Sequence, residues 1–235
     1  MAATVALTPR LRADDIFFPA MGLLILSVVV LGFWQSYFSA GMLRAKLPNT
    51  LLHIHGALYV SWVFFVTVQP WLIAVGRVKW HIRLGALGVI LPPLMVVLGI
   101  FVVFDYIRRD DGSGIPAQLL MVGDFAELAL FVGLTSWGLL VRRHAASHKR
   151  LMILGTMAIL GPAIARWPIP FNPLVIIGTQ LALPLLVVLY DLYSSRRVHR
   201  STMVAYAIMV VGLLTAFPVS SLGFWQPVVA WIHHS

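Results

Sequence analysis

The sequence predicts an all-α fold: a polytopic transmembrane bundle of seven helices, N-terminus inside and C-terminus outside, in one domain over residues 1–235. Three observations carry this. The chain is 60% hydrophobic and 11% charged, with a mean hydropathy of +0.92, outside the range of water-soluble domains. It divides into seven apolar runs close to the roughly 20 residues that cross a bilayer. Its basic residues gather in alternate connections between those runs.

The first run, 16–37, is too long for a removable signal peptide and lacks a small-residue cleavage site, so it stays as the first helix. The second and third, 51–75 and 84–106, flank a basic turn with Arg77, Lys79, His81 and Arg83. The fourth, 118–141, is followed by Arg142, Arg143, His148, Lys149 and Arg150. The fifth, 151–166, reaches spanning length only with His148 and Trp167 as interfacial ends. The sixth and seventh, 173–192 and 203–217, flank Arg196, Arg197 and Arg200. A straight helix from Met203 to Trp231 would exceed the bilayer at 1.5 Å per residue, so a break is expected near Pro218. Pro92-Pro93, Pro162 and Pro184 are expected to kink the third, fifth and sixth helices.

With Arg10 and Arg12 the basic turns place 12 of the 17 lysines and arginines on one side; Arg44, Lys46, Arg108, Arg109 and Arg166 occupy the other, where Asp110 and Asp111 offset part of their charge. The positive-inside rule makes the richer side cytoplasmic. The net charge of +9 therefore reads as topology and attraction to anionic headgroups. It does not read as a nucleic-acid surface, because the basic residues form no continuous patch. The expected location is a bacterial inner membrane, and the expected partners are lipids or a membrane complex. With no cysteine in the chain, thiolate metal sites, iron–sulfur clusters and a cysteine nucleophile are excluded.

One phrase occurs twice. His81-Ile-Arg83-Leu-Gly-Ala-Leu-Gly88 and His148-Lys-Arg150-Leu-Met-Ile-Leu-Gly155 both match H-x-R-L-x-x-L-G, and each opens an apolar run after a basic turn. This is the mark of a repeated helical hairpin. At a headgroup boundary, His81, Arg83, His148 and Arg150 are expected to face lipid.

Polar residues inside the runs mark the candidate site, since burying them in lipid is costly. Asp124 and Glu127 are three apart on the fourth helix and share a face. Two carboxylates that close, in a low dielectric, need a proton or a cation between them, and Arg166 is the natural cation. His53 and His55 open the second helix at the same outer level. As i and i+2 on a helix they diverge by about 200°, which works against a chelate. An outer-half chamber lined by His53 or His55, Asp105, Asp124, Glu127 and Arg166, with Gln69 as a further polar group at depth, is the expected site. A metal set of His53, His55, Asp124 and Glu127 would suit zinc, iron or copper(II). Haem is the weaker cofactor expectation, because bis-histidine ligation needs paired histidines at one depth inside the bundle. His81 and His148 share a depth only at the boundary.

The combination His53-x-His55-Gly56, Trp62, Gln69, Gly76-Arg77, His81-x-Arg83-Leu84-Gly85, His148-Lys149-Arg150-Leu151-Met152, Pro162 and Arg166 resembles a widespread group of uncharacterised bacterial seven-helix membrane proteins. The resemblance spans the second to fifth helices and implies a fold, with no activity attached. Three readings of the pocket follow: a site for a metal, cofactor or small ligand, redox chemistry included; a proton-coupled transporter using Asp124 and Glu127; or an accessory subunit whose polar residues only join helices.

Overall fold

The computed structural model describes residues 12–109, 115–169 and 172–234; Arg10, Asp110 and Asp111 of the charge pattern lie outside them. The described residues form ten α-helices with short 3-10 and π turns, and no strand. Six stretches are long and apolar enough to cross a membrane: Ala13–Phe38, Thr50–Ala74, Val78–Arg109, Ala117–Leu140, Pro173–Ser195 and Arg200–Ser220. The protein is thus a helical bundle with the make-up of a multi-pass membrane protein.

Helix α1 (Ala13–Phe33) begins with a capping box between Arg12 and Asp15 and runs into a π-helical turn, Trp34–Phe38. Helix α2 (Thr50–Ala74) is capped by Asn49, whose side chain accepts the Leu52 N–H at 3.1 Å. The two cross closely at Gly22, where an added Cβ would lie 2.8 Å from the Thr67 Cα. The Thr67 hydroxyl donates to the Gly22 carbonyl at 2.9 Å. Small residues are what permit such an approach where lipid supplies no hydrophobic drive between helices.

The basic turn after α2 holds a short amphipathic helix, α3 (Val78–Gly85), none of whose residues is buried. Helix α4 (Leu87–Arg109) then runs unbroken through Pro92 and Pro93, and α5 is Ala117–Leu140. The Tyr59 hydroxyl donates to the Met95 carbonyl at 3.0 Å, tying α2 to α4 beside the prolines.

The fifth apolar run is where expectation and structure differ most. It is two helices, α6 (Ala145–Met157) and α7 (Gly161–Ile164), with a break between them. The pair follows α1 along its length: Lys149 binds Asp14 at one end, and Gly32 lies against Ala163 at the other. It is also the centre of the core, with Leu151, Leu154, Met157, Ala158 and Ile164 fully buried. The expected kink at Pro162 is therefore a break in the chain's most enclosed element. Helix α8 (Pro173–Ser195) continues through Pro184, and α9 (Arg200–Ser220) continues through Pro218. The last run breaks just after Pro218, and α10 (Trp225–His234) packs Ile232 into a small cluster with Val103, Ile107 and Met121.

The basic end is held by a polar network that sequence reasoning missed. Arg150, expected to face lipid, turns inward and is 6% exposed. It donates to Asp191 Oδ1 from Nε at 2.9 Å and from Nη2 at 2.5 Å. Oδ2 of the same carboxylate accepts the His199 N–H at 3.0 Å and the Thr202 hydroxyl at 2.6 Å. Lys149 binds Asp14, which also accepts the Tyr190 hydroxyl at 2.6 Å. Helices α1, α6, α8 and α9 are joined there by groups whose charges are all compensated, the condition under which buried charge is tolerated.

Candidate functional site

The break between α6 and α7 has a definite chemical origin. Proline at 162 has no N–H, so the carbonyl four residues earlier, Ala158, loses its helical donor. Inside a membrane that carbonyl needs a substitute. Gln180 of α8, 1% exposed, supplies it: its Nε2 donates to the Ala158 oxygen at 2.7 Å. The gap also leaves the Gly161 N–H without a helical acceptor, and the Glu127 carboxylate of α5 accepts it. Gln180 hydrogen-bonds Glu127 as well. Both orphaned backbone groups are thus answered by side chains from two other helices. A Cβ at position 161 would meet the Glu127 carboxyl, so glycine lets that side chain sit against the gap and any larger residue there must push it aside.

Around Glu127 stand further ionisable groups. Asp124 lies one turn earlier on α5, and the charges of both carboxylates act on the Tyr59 hydroxyl. His55 stacks on Tyr59 with ring centres 4.0 Å apart, and its Nδ1 is buried without a hydrogen-bond partner among the described residues. The Arg166 guanidinium donates to the Pro162 carbonyl at 2.7 Å and lies 4.9 Å from the centre of the Phe33 ring. Its charge reaches both Asp124 and His55. The cluster comprises His55, Tyr59, Asp124, Glu127 and Gln180, with Arg166 at its exposed edge.

Other expected members lie elsewhere. His53 sits beside Tyr37, ring centres 6.4 Å apart, diverging from His55 as i, i+2 geometry requires. Among the described residues no three His, Asp or Glu side chains are placed to hold a metal ion, so His53, His55, Asp124 and Glu127 do not form the expected metal set. Asp105 is engaged at the end of α4, bound to Arg109 at 2.9 Å and to the Asn49 amide at 2.7 Å. Gln69 lies 14 residues beyond His55 on α2, about 21 Å along the helix, at the basic end and away from the carboxylates. Tyr59, Gly161 and the role of Gln180 were missed. A signal existed for Gln180: a proline inside a membrane helix releases the carbonyl at i−4, and a glutamine at depth on a later helix is a suitable donor.

His81 and His148 also depart from expectation. Their rings lie 6.3 Å apart, centre to centre, nearly perpendicular at 84°. Each Nδ1 meets a carbonyl of the preceding helix: Gln69 for His81 at 3.3 Å, Gly138 for His148 at 2.9 Å. The repeated phrase thus repeats a hydrogen bond, although the hairpins diverge beyond it, α4 running on to Arg109 while α6 stops at Met157. Arg83 remains exposed, its guanidinium 5.5 Å from the Trp80 ring centre.

No family model, curated protein or solved structure matches the chain.

Proposed function

We propose that this is a seven-pass protein of a bacterial inner membrane, N-terminus inside, and that the Glu127 cluster exchanges protons as the coupling site of a carrier for a small ligand. The observation that supports this best is the buried Glu127 carboxyl set into the gap of a broken helix at the centre of the core, with Asp124 one turn away. Discontinuous helices and intramembrane carboxylates are the recurring parts of proton-coupled carriers. A buried carboxyl bonded to a backbone N–H and an amide changes its partners when it changes protonation, and here those partners belong to α7 and α8. Proton transfer and helix movement are thereby linked. The unpartnered Nδ1 of His55, stacked on Tyr59, is a polar atom available to a ligand in the same cluster.

Proteoliposomes containing the full chain and an entrapped pH dye, under an imposed pH gradient, test the reading. The native protein should pass protons, Glu127→Gln should stop the flux while eluting as a folded species, and Asp124→Asn should slow it. Infrared difference spectra between acid and neutral pH should show a carboxyl C=O band that is lost in Glu127→Gln. A Glu127→Gln protein with reduced thermal stability, unchanged proton flux and an unchanged infrared band would make Glu127 a pin for the helix break, and the accessory-subunit reading would then stand.

A further inference from the structure

The histidine pair at the basic end is unused by the Glu127 cluster and lies at the opposite end of the bundle. A carbonyl oxygen can only accept, so the bonds to Gln69 and Gly138 place the Nδ1 hydrogen on both neutral rings. The lone pair of each ring is then on Nε2. This is the arrangement in which histidine binds metal: one ring nitrogen anchored to backbone, the other left as donor. Two helices present it side by side, from equivalent places in a repeated phrase.

The spacing narrows the ligand. A metal between two imidazole nitrogens, about 2 Å from each, puts the ring centres about 6 Å apart when the three atoms are nearly in line; the observed separation is 6.3 Å. A bare ion would need further protein donors, and no third His, Asp or Glu among the described residues joins the pair. Haem iron takes four nitrogens from its macrocycle and leaves two axial positions, so a pair of imidazoles completes its coordination without a third side chain. The surroundings suit such a group. The carboxamide of Gln69, the residue whose carbonyl holds His81, is buried with both polar atoms unpartnered among the described residues. Helix α3, which carries His81, exposes Val78, Trp80 and Ile82. Arg77, Lys79, Arg83, Arg142 and Arg143 flank the pair as exposed cations suited to propionates.

We propose that His81 and His148 are the two axial ligands of an iron protoporphyrin, a b-type haem, bound at the basic end of the bundle. The boundary position that counted against haem in the sequence is the place where its propionates would meet cations.

The full-length protein in detergent, titrated with haemin, decides this. The expected product has one haem per chain and a six-coordinate, low-spin spectrum. Its electron paramagnetic resonance signal should be the strongly anisotropic low-spin type produced by perpendicular imidazole planes. His81→Ala and His148→Ala should each lose six-coordination, and His53→Ala and His55→Ala should retain it. Should either alanine variant fail to fold, His148→Gly with added imidazole should recover the low-spin spectrum, and His148→Met should give a six-coordinate haem with a shifted spectrum. A high-spin or sub-stoichiometric haem in the native protein, or a low-spin spectrum surviving in the His81→Ala/His148→Ala double variant, would overturn the assignment. The haem readouts do not involve proton flux, so failure here leaves the Glu127 reading untouched, and the reverse.

Discussion

At the scale of single residues, the geometry is most demanding at Gly161, Arg150 and His199. Gly161→Ala should displace the Glu127 carboxyl, because the added methyl occupies its position. Overpacking of this kind costs about 1–3 kcal/mol, and the variant should also lose the proton flux assigned to Glu127; a melting curve and the liposome assay read the two effects separately. The Arg150–Asp191 pair makes a different prediction. Removing one partner, as in Arg150→Met, leaves a buried charge and should cost about 3–5 kcal/mol, read as a lower Tm or loss of folded protein. The double change Arg150→Met/Asp191→Leu should recover much of the loss. His199 caps α9 by accepting the Ser201 N–H on its Nδ1 at 3.2 Å, which requires the neutral ring. Desolvation first, and then the nearby Arg150 charge, hold its pKa below the ordinary 6.5. The unfolded chain therefore takes up the proton at higher pH than the folded one. The His199 contribution is present above about pH 6.5 and lost as pH falls through that value toward the folded pKa. Tm in detergent should fall between pH 7.5 and 5.5, and His199→Asn, which keeps a capping acceptor, should flatten that slope.

At the scale of elements, the α6–α7 break and the glycine crossing of α1 and α2 separate what a pattern reveals from what packing decides. Proline marked four helices, yet α4 and α8 pass through theirs, α9 ends at Ser220 just after Pro218, and Pro162 coincides with a break inside the core. The difference lies in the partners. At Pro162 an amide and a carboxylate from α8 and α5 satisfy the freed groups, and that depends on neighbours some 20 to 35 positions away. Pro162→Ala restores an N–H within reach of Ala158. It should make α6 and α7 more continuous and weaken the need for Gln180, so that Gln180→Leu costs less in that background than in the native one. Thermal stability of the four proteins of this cycle measures the coupling. Gly22→Leu should force α1 from α2 at the Thr67 contact and lower stability more than the same change at exposed Gly223.

At the scale of the whole molecule, alternation of chain direction brings the start of α1, the ends of α2, α5 and α8 and the start of α9 to one basic end. The Asp14–Lys149, His81–His148 and Arg150–Asp191 contacts join them there. The expected orientation puts this end in the cytoplasm. Because the chain has no cysteine, single cysteines at Ser147 and Ser221 report it cleanly: in intact cells a membrane-impermeant maleimide should label Ser221→Cys and not Ser147→Cys. The reverse pattern would invert the topology.

The sequence by itself determined that the chain is an apolar helical bundle, where its runs lie, and that carboxylates and histidines stand at unusual depth. Those properties are local: hydropathy over about 20 residues, charge beside a run, and spacing on one helix face. Tertiary structure alone decided which polar groups meet. Arg150 turned from lipid to Asp191, Asp105 went to Asn49 and Arg109, Gln69 fell at the far end from the carboxylates, and two boundary histidines came face to face. The physical reason is that a polar atom in a low-dielectric interior takes whichever partner the helix packing brings within hydrogen-bond reach, and sequence separation carries almost no information about that distance.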